Sequence, residues 1–122
     1  MPSRPTHFEI PVDDPDRAEK FYTTVFGWTI QRYPDAPQYY GLAGTGEGSP
    51  GIDGALYQRG ENSEVILTMS VDSIEGSTET ILAEGGKVVQ DKTPIPTMGY
   101  YATFLDTEGN IFGVFVNDPN AA

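Results

Sequence analysis

An α+β domain of two similar βαβββ halves, forming a cup-shaped mixed sheet, is the fold this sequence predicts, and three observations predict it. A strand-like run, an amphipathic helix and three further strand-like runs follow one another twice along the chain. Landmarks of the first passage recur in the second at one offset: Val12-Asp13-Asp14 returns as Val71-Asp72-Ser73, Tyr22 as Ile81 and Gly27 as Gly86, each 59 positions on. A duplicated unit explains this economically. The 122 residues are also the size of one domain with one core. A single domain over 1–122 is expected, with half one at about 6–60 and half two at about 64–117.

The first half opens with a half-buried strand from Thr6 to Val12, with Phe8 and Ile10 on one face and His7 and Glu9 on the other. Asp13-Asp14-Pro15 starts a helix. The Asp14 side chain can accept an orphan N–H, and Pro15 has no N–H to leave unpaired. Ala18, Phe21, Tyr22, Val25 and Phe26 then recur at helical spacing, an apolar stripe expected to lie against a sheet, and Gly27 supplies a left-handed stop. Strands are expected at Trp28 to Tyr33, Gln38 to Ala43 and Ile52 to Arg59, with a glycine-rich loop from Gly44 to Pro50.

The second half repeats the order. A strand from Val65 to Val71 places Leu67, Met69 and Val71 on one face. The helix that follows, Ile74 to Glu84, is weaker, because Gly76 and several Ser and Thr residues lower its propensity, and Gly85-Gly86 ends it. Strands are expected at Lys87 to Gln90, Tyr100 to Leu105 and Ile111 to Val116. The segment Lys92 to Gly99 reads as a loop that could cover a ligand, and Asp118 to Ala122 as a frayed tail.

Composition narrows the function. Eighteen acidic against seven basic side chains give a net charge of −11, with no stripe of Lys and Arg to neutralise phosphates, so nucleic acid is not an expected partner. Cysteine is absent, which removes disulfides, a thiolate nucleophile and any sulfur-bound zinc. No apolar run approaches the roughly 20 residues that cross a bilayer, and the N-terminus lacks a signal-peptide segment. A soluble, cytoplasmic protein with no membrane partner is expected.

Two stretches carry a family likeness. His7-Phe8-Glu9-Ile10-Pro11-Val12-Asp13-Asp14, followed by Ala18, Phe21-Tyr22 and Phe26-Gly27-Trp28, resembles the opening of vicinal oxygen chelate proteins, the glyoxalase, bleomycin-resistance and dioxygenase superfamily. Phe104-Leu105-Asp106-Thr107-Glu108-Gly109-Asn110-Ile111-Phe112 resembles their closing hairpin. The likeness covers nearly the whole chain and implies the two-half cup, and a homodimer as well. It implies no single activity, because the architecture hosts metal-dependent lyases, isomerases, dioxygenases, antibiotic-modifying enzymes and metal-free drug-sequestering proteins.

The resemblance also implies where a metal would sit: one ligand from the first strand and one from the last strand of each half. These positions fall at His7, Ile66, Gly113 and, through the repeat offset, Gly54. Only His7 can donate to a cation, and a divalent metal needs three or more convergent donors. Neither a metal nor another cofactor is therefore expected.

The expected ligand set lines the cup. His7 and Glu9 share a strand face and could act as a proton-transfer pair, the candidate catalytic residues. Tyr39-Tyr40 and Tyr100-Tyr101 occupy matching places, one of each pair pointing inward to give an aromatic wall with a polar tip. Gly54, Ile66 and Gly113 complete the set, the glycines leaving room for a ligand. The leading expectation is a metal-independent binder of a small molecule. Its rivals are a lyase or isomerase acting on a small carbonyl compound through His7 and Glu9 or a non-standard metal site, and a partner-binding subunit whose cup its own aromatic rings fill.

Overall fold

A computed structural model describes residues 2–122. Its elements are β1 (Pro5–Val12), α1 (Pro15–Phe26), β2 (Thr29–Arg32), β3 (Tyr40–Gly44), β4 (Gly54–Gln58), β5 (Ile66–Ser70), α2 (Ile74–Ala83), β6 (Lys87–Ile95), β7 (Gly99–Leu105) and β8 (Ile111–Asn117). The class is α+β with mixed strand pairing. The chain forms two compact units, His7–Val65 and Ile66–Ala122, the second joined by the N-terminal residues through Thr6.

Both units have the same topology. In the first, β1 runs parallel to β4, which pairs antiparallel with β3, and β3 with β2. In the second, β5 runs parallel to β8, which pairs antiparallel with β7, and β7 with β6. A parallel first and last strand require a long crossover, and the helix begins that crossover in each unit.

The helix ends follow the local chemistry. Asp14 accepts the Arg17 N–H at 3.1 Å, Pro15 follows, and Gly27 closes α1 in the left-handed region (φ 73°), its N–H reaching the Thr23 carbonyl. Ser73 caps α2 through the Gly76 N–H at 3.0 Å. The Thr78 and Thr80 hydroxyls, poor helix formers, donate back to the carbonyls of Ile74 and Gly76.

In the second unit Ile74 anchors α2 on Ala102, Phe104 and Val114, with Val71, Ile81, Tyr100, Phe112 and Val116 packed around them. In the first unit Trp28 stacks on Tyr22 of α1 with ring centroids 4.9 Å apart, and Phe8 lies 5.5 Å from Trp28. That aromatic stack joins α1 to β1.

Three expectations change. The α1 stripe is not buried: Phe21, Val25 and Phe26 are 54%, 54% and 60% exposed, because Ala18 and Tyr22 alone face inward enough to be half-covered. The Lys92 to Gly99 loop is mostly strand, since β6 continues to Ile95 through two irregularities in its pairing that accommodate the proline-containing segment. The tail is tied down, with Thr97 N–H donating to the Ala121 carbonyl and Asp118 N–H to the Met98 carbonyl, both at 2.9 Å, and Ala121 buried.

Gly54 is a close-approach glycine. A Cβ there would lie 2.5 Å from both Phe8 Cδ1 and the Phe8 carbonyl oxygen, so Gly54→Ala should destabilise the protein by about 1–3 kcal/mol. Gly60→Ala, with no atom within 4 Å of the added carbon, should change little. Urea unfolding of both variants measures the difference.

Candidate functional site

Strand alternation sorts the candidates. Phe8 turns toward Trp28 and α1, so His7 and Glu9 point to the face of the first unit opposite α1. Across the parallel pair Glu9 lies beside Ala55, and across the antiparallel pair Ala55 lies beside Leu42 and Tyr57 beside Tyr40. Tyr40, Leu42, Ala55 and Tyr57 therefore share the face of His7 and Glu9.

On that face three polar side chains converge. His7 Nε2 lies 3.1 Å from the Tyr40 hydroxyl oxygen, and the Tyr40 hydroxyl donates to Glu9 Oε2 in a short contact. The same carboxylate oxygen is 3.7 Å from His7 Nε2. The side chains of His7 and Glu9 are 32% and 24% exposed, enough cover to strengthen the contacts and enough access for a ligand to reach them. In the tautomer that carries its proton on Nε2, His7 donates to the Tyr40 oxygen, and the three groups form a chain along which a proton can be displaced.

Tyr57 borders the cluster. Its hydroxyl donates to the Glu64 carbonyl at 2.6 Å, and burial, then the Glu9 charge, hold its phenol above the ordinary value. Sequence reasoning missed Tyr57, although its two-residue spacing from Ala55 was the available signal.

Tyr39 points the other way. Its hydroxyl donates to Glu19 of α1 at 2.7 Å, and Arg32 bonds the same carboxylate at 2.9 Å while its guanidinium carbon sits 5.2 Å from the Tyr39 ring centre. This is a clamp of α1 on the sheet, where the phenol is held above its ordinary value by burial first and by Glu19 second.

In the second unit Tyr100 packs with the α2 core under Lys92, whose Nζ is 4.4 Å from the ring centre. Tyr101 lies on the face opposite α2 and accepts a 3.1 Å hydrogen bond from Gln90. Ile66 and Gly113 share that face, as do Thr68 and Thr103, which the sequence reading passed over. For Thr68 the signal was the repeat itself, which maps Glu9 onto it, whereas the same offset maps Thr103 onto Gly44 and gives no signal.

Gly54 needs correction. Phe8 pairs with Gly54, whereas its repeat partner Leu67 pairs with Phe112, so the last strands are offset by one residue less than the first strands. A one-residue step on a strand exchanges faces. Gly54 thus lies with Phe8 on the α1 side, and Ala55 is the true counterpart of Gly113.

The family's metal positions are then His7, Ala55, Ile66 and Gly113, of which one is a donor. Among the described residues no three His, Cys, Asp or Glu side chains gather into a group that could hold a metal ion. The residues present do not fit the metal.

Against known proteins, the description "Bleomycin resistance protein-like N-terminal" matches residues 4–44. A glyoxylase-like domain-containing protein of Didymella fabae is 30% identical over 112 residues, covering 87% of this chain and 88% of the relative. A probable chloroplastic lactoylglutathione lyase of Arabidopsis thaliana is 31% identical over 80% of this chain, which spans only 31% of that protein. A putative glyoxylase of Mycobacterium bovis is 29% identical over 91% of this chain and 43% of its own length.

Among solved structures, a hypothetical protein from Bacillus halodurans superposes with a TM-score of 0.76 at 16% identity, covering 100% of this chain and 99% of that one. Methylmalonyl-CoA epimerase from Mycobacterium tuberculosis gives 0.72 at 15% identity over 94% of this chain and 88% of its own. The fold is that of the vicinal oxygen chelate proteins. The chain belongs to that superfamily, among its glyoxalase-like and bleomycin-resistance-like members.

The Tyr39 clamp has a pH signature. The folded phenol is raised above its unfolded value, so the contribution of the Tyr39–Glu19 bond is complete below about pH 10 and is lost as pH rises toward the folded value. In a tyrosinate absorbance titration of the folded protein, Tyr39→Phe should remove a phenol from the highest-titrating fraction and leave the early fraction unchanged.

Proposed function

We propose that this chain is a small-molecule binding protein of the glyoxalase and bleomycin-resistance type that works without the family metal, taking its ligand at His7, Tyr40 and Glu9. The observation that carries the proposal is the convergence of imidazole, phenol and carboxylate on one half-buried face, where only one of the four metal positions offers a donor. Such a cluster offers a donor and an acceptor side by side, framed by the Tyr40 and Tyr57 rings. It suits a compact ligand with adjacent donor and acceptor groups, and the net charge of −11 disfavours anions.

No helix among the described residues is long and apolar enough to cross a membrane, and a cytoplasmic working place belongs to this reading. The exposed rings of Phe21 and Phe26 on α1 support the homodimer that the family resemblance implies.

A second reading is favoured by the same hydrogen bonds: His7 and Glu9, linked through one phenol, form a proton-transfer pair acting on a small carbonyl compound. Similarity to proteins named glyoxylase, lactoylglutathione lyase and methylmalonyl-CoA epimerase supports it.

Elemental analysis after dialysis against Zn²⁺, Ni²⁺, Mn²⁺ and Fe²⁺ tests the metal-free reading. The expected result is substoichiometric metal unaffected by His7→Ala; near-stoichiometric metal lost with His7→Ala would overturn it. Protein-catalysed exchange of the carbon-bound protons of hydroxyacetone in D₂O, slowed about 100-fold or more in Glu9→Gln, would make the second reading the function.

A further inference from the structure

We propose that the second unit carries a binding site on the α2 side of its sheet for a small molecule that joins an ammonium group to an apolar body. The site is an open cleft of about 480 Å³ between α2 and the strands β5 and β8. It lies on the sheet face opposite Ile66, Thr68 and Gly113, and it shares no residue with the His7, Tyr40 and Glu9 cluster.

Alternation and pairing build an apolar floor. Met69 of β5 and Val71 just beyond it lie on one face, and Phe112 and Val114 of β8 join them through the pairs Leu67–Phe112 and Met69–Val114. Leu67, the next residue on that face, is 41% exposed, so the apolar surface is not closed over.

The wall is α2, through Gly76, Ser77 and Thr80. A Cβ on Gly76 would meet no atom of the sheet within 4 Å. Glycine is unfavourable inside a helix, and no packing of the sheet against α2 requires it here. Its missing side chain leaves width in the cleft. The first unit has a cleft at the matching place, of about 340 Å³, lined by Arg17, Phe21 and Tyr22 where α2 has Gly76, Thr80 and Ile81. The wider cleft goes with the smaller side chains.

The rim selects the ligand. The Thr78 and Thr80 hydroxyls donate back to helix carbonyls, whereas the half-buried Ser77 hydroxyl has no hydrogen-bond partner among the described residues. Asp72 is the one charged side chain lining the cleft, and it forms no ion pair among the described residues. The Ser73 cap and Glu75 in the first turn answer the positive end of α2, so the Asp72 carboxylate sets the sign of the cleft, and the net charge of −11 adds to it. An ammonium group thus finds an unpaired carboxylate and a free hydroxyl at the rim, with its apolar body on Met69, Val71 and Phe112. A carboxylate in the same place is repelled.

The test uses the full chain at low ionic strength, with benzylammonium, benzyl alcohol and benzoate as probes and the Met69 methyl and Gly76 amide resonances as the readout. Benzylammonium should give saturable shifts of both, with benzyl alcohol bound about threefold more weakly, as an exposed charge pair allows, and benzoate giving none. Asp72→Asn should bring benzylammonium to the affinity of benzyl alcohol and leave benzyl alcohol unchanged. Gly76→Ala should keep or raise the Tm, because the added carbon enters open space on a helix. Gly76→Leu should fill the cleft and remove binding of both probes, while Tyr40→Phe leaves it intact. A Tm lowered by Gly76→Ala, benzoate bound as tightly as benzylammonium, or binding that survives Gly76→Leu would each overturn the site. So would Met69 shifts that follow protein concentration without any probe, which would assign the cleft to a second copy of the chain.

Discussion

Alternation along β1 is the constraint on which the rest depends. Phe8 is committed to the ring stack of Trp28 and Tyr22, and the absent side chain of Gly54 leaves room for its ring beside β4. Once Phe8 is fixed, His7 and Glu9 can only project to the opposite face, where β3 delivers Tyr40 between them. The polar cluster is thus a consequence of apolar packing one residue away. A shift of register by one would bury a histidine and a glutamate under α1 and expose the phenylalanine.

The duplication supplies a matching framework in the second unit, but the chemistry placed on it differs. At the positions of His7 and Glu9 stand Ile66 and Thr68, and at those of Leu42 and Ala55 stand Thr103 and Gly113. One unit carries titratable groups that hydrogen-bond one another. The other carries neutral hydroxyls, one of them buried and unpaired. Fold similarity to a methylmalonyl-CoA epimerase and sequence similarity to glyoxylase-like proteins define the family without fixing which of these faces meets a ligand.

Much of this was legible in the sequence where the signal is local. Asp14-Pro15 and Gly27 bound α1 because caps are made by the residues themselves, and the alternation of Phe8 and Ile10 with His7 and Glu9 fixes which face of β1 is polar. What escaped depends on distant partners. The α1 stripe announces an apolar face without stating what covers it, and Phe21 and Phe26 are left open. The extension of β6 through Pro94 depends on pairing with β7, which tolerates a proline beside bulges. The offset of 59 was sound for the first strands and helices but one too large for the last strand, and that single residue put Gly54 on the wrong face.

The central claim is that His7, Tyr40 and Glu9 act as one ligand-receiving group. His7 is the sole histidine, so its imidazole Cε1–H resonance reports on the cluster without ambiguity. The most direct measurement is a titration of small neutral molecules bearing adjacent donor and acceptor groups, followed on that resonance in the wild type and in Tyr40→Phe. The account predicts a saturable shift for at least one such molecule and an affinity about tenfold weaker when the phenolic hydroxyl is removed. A ligand that binds with the same affinity in Tyr40→Phe and leaves the His7 resonance unmoved would contradict it.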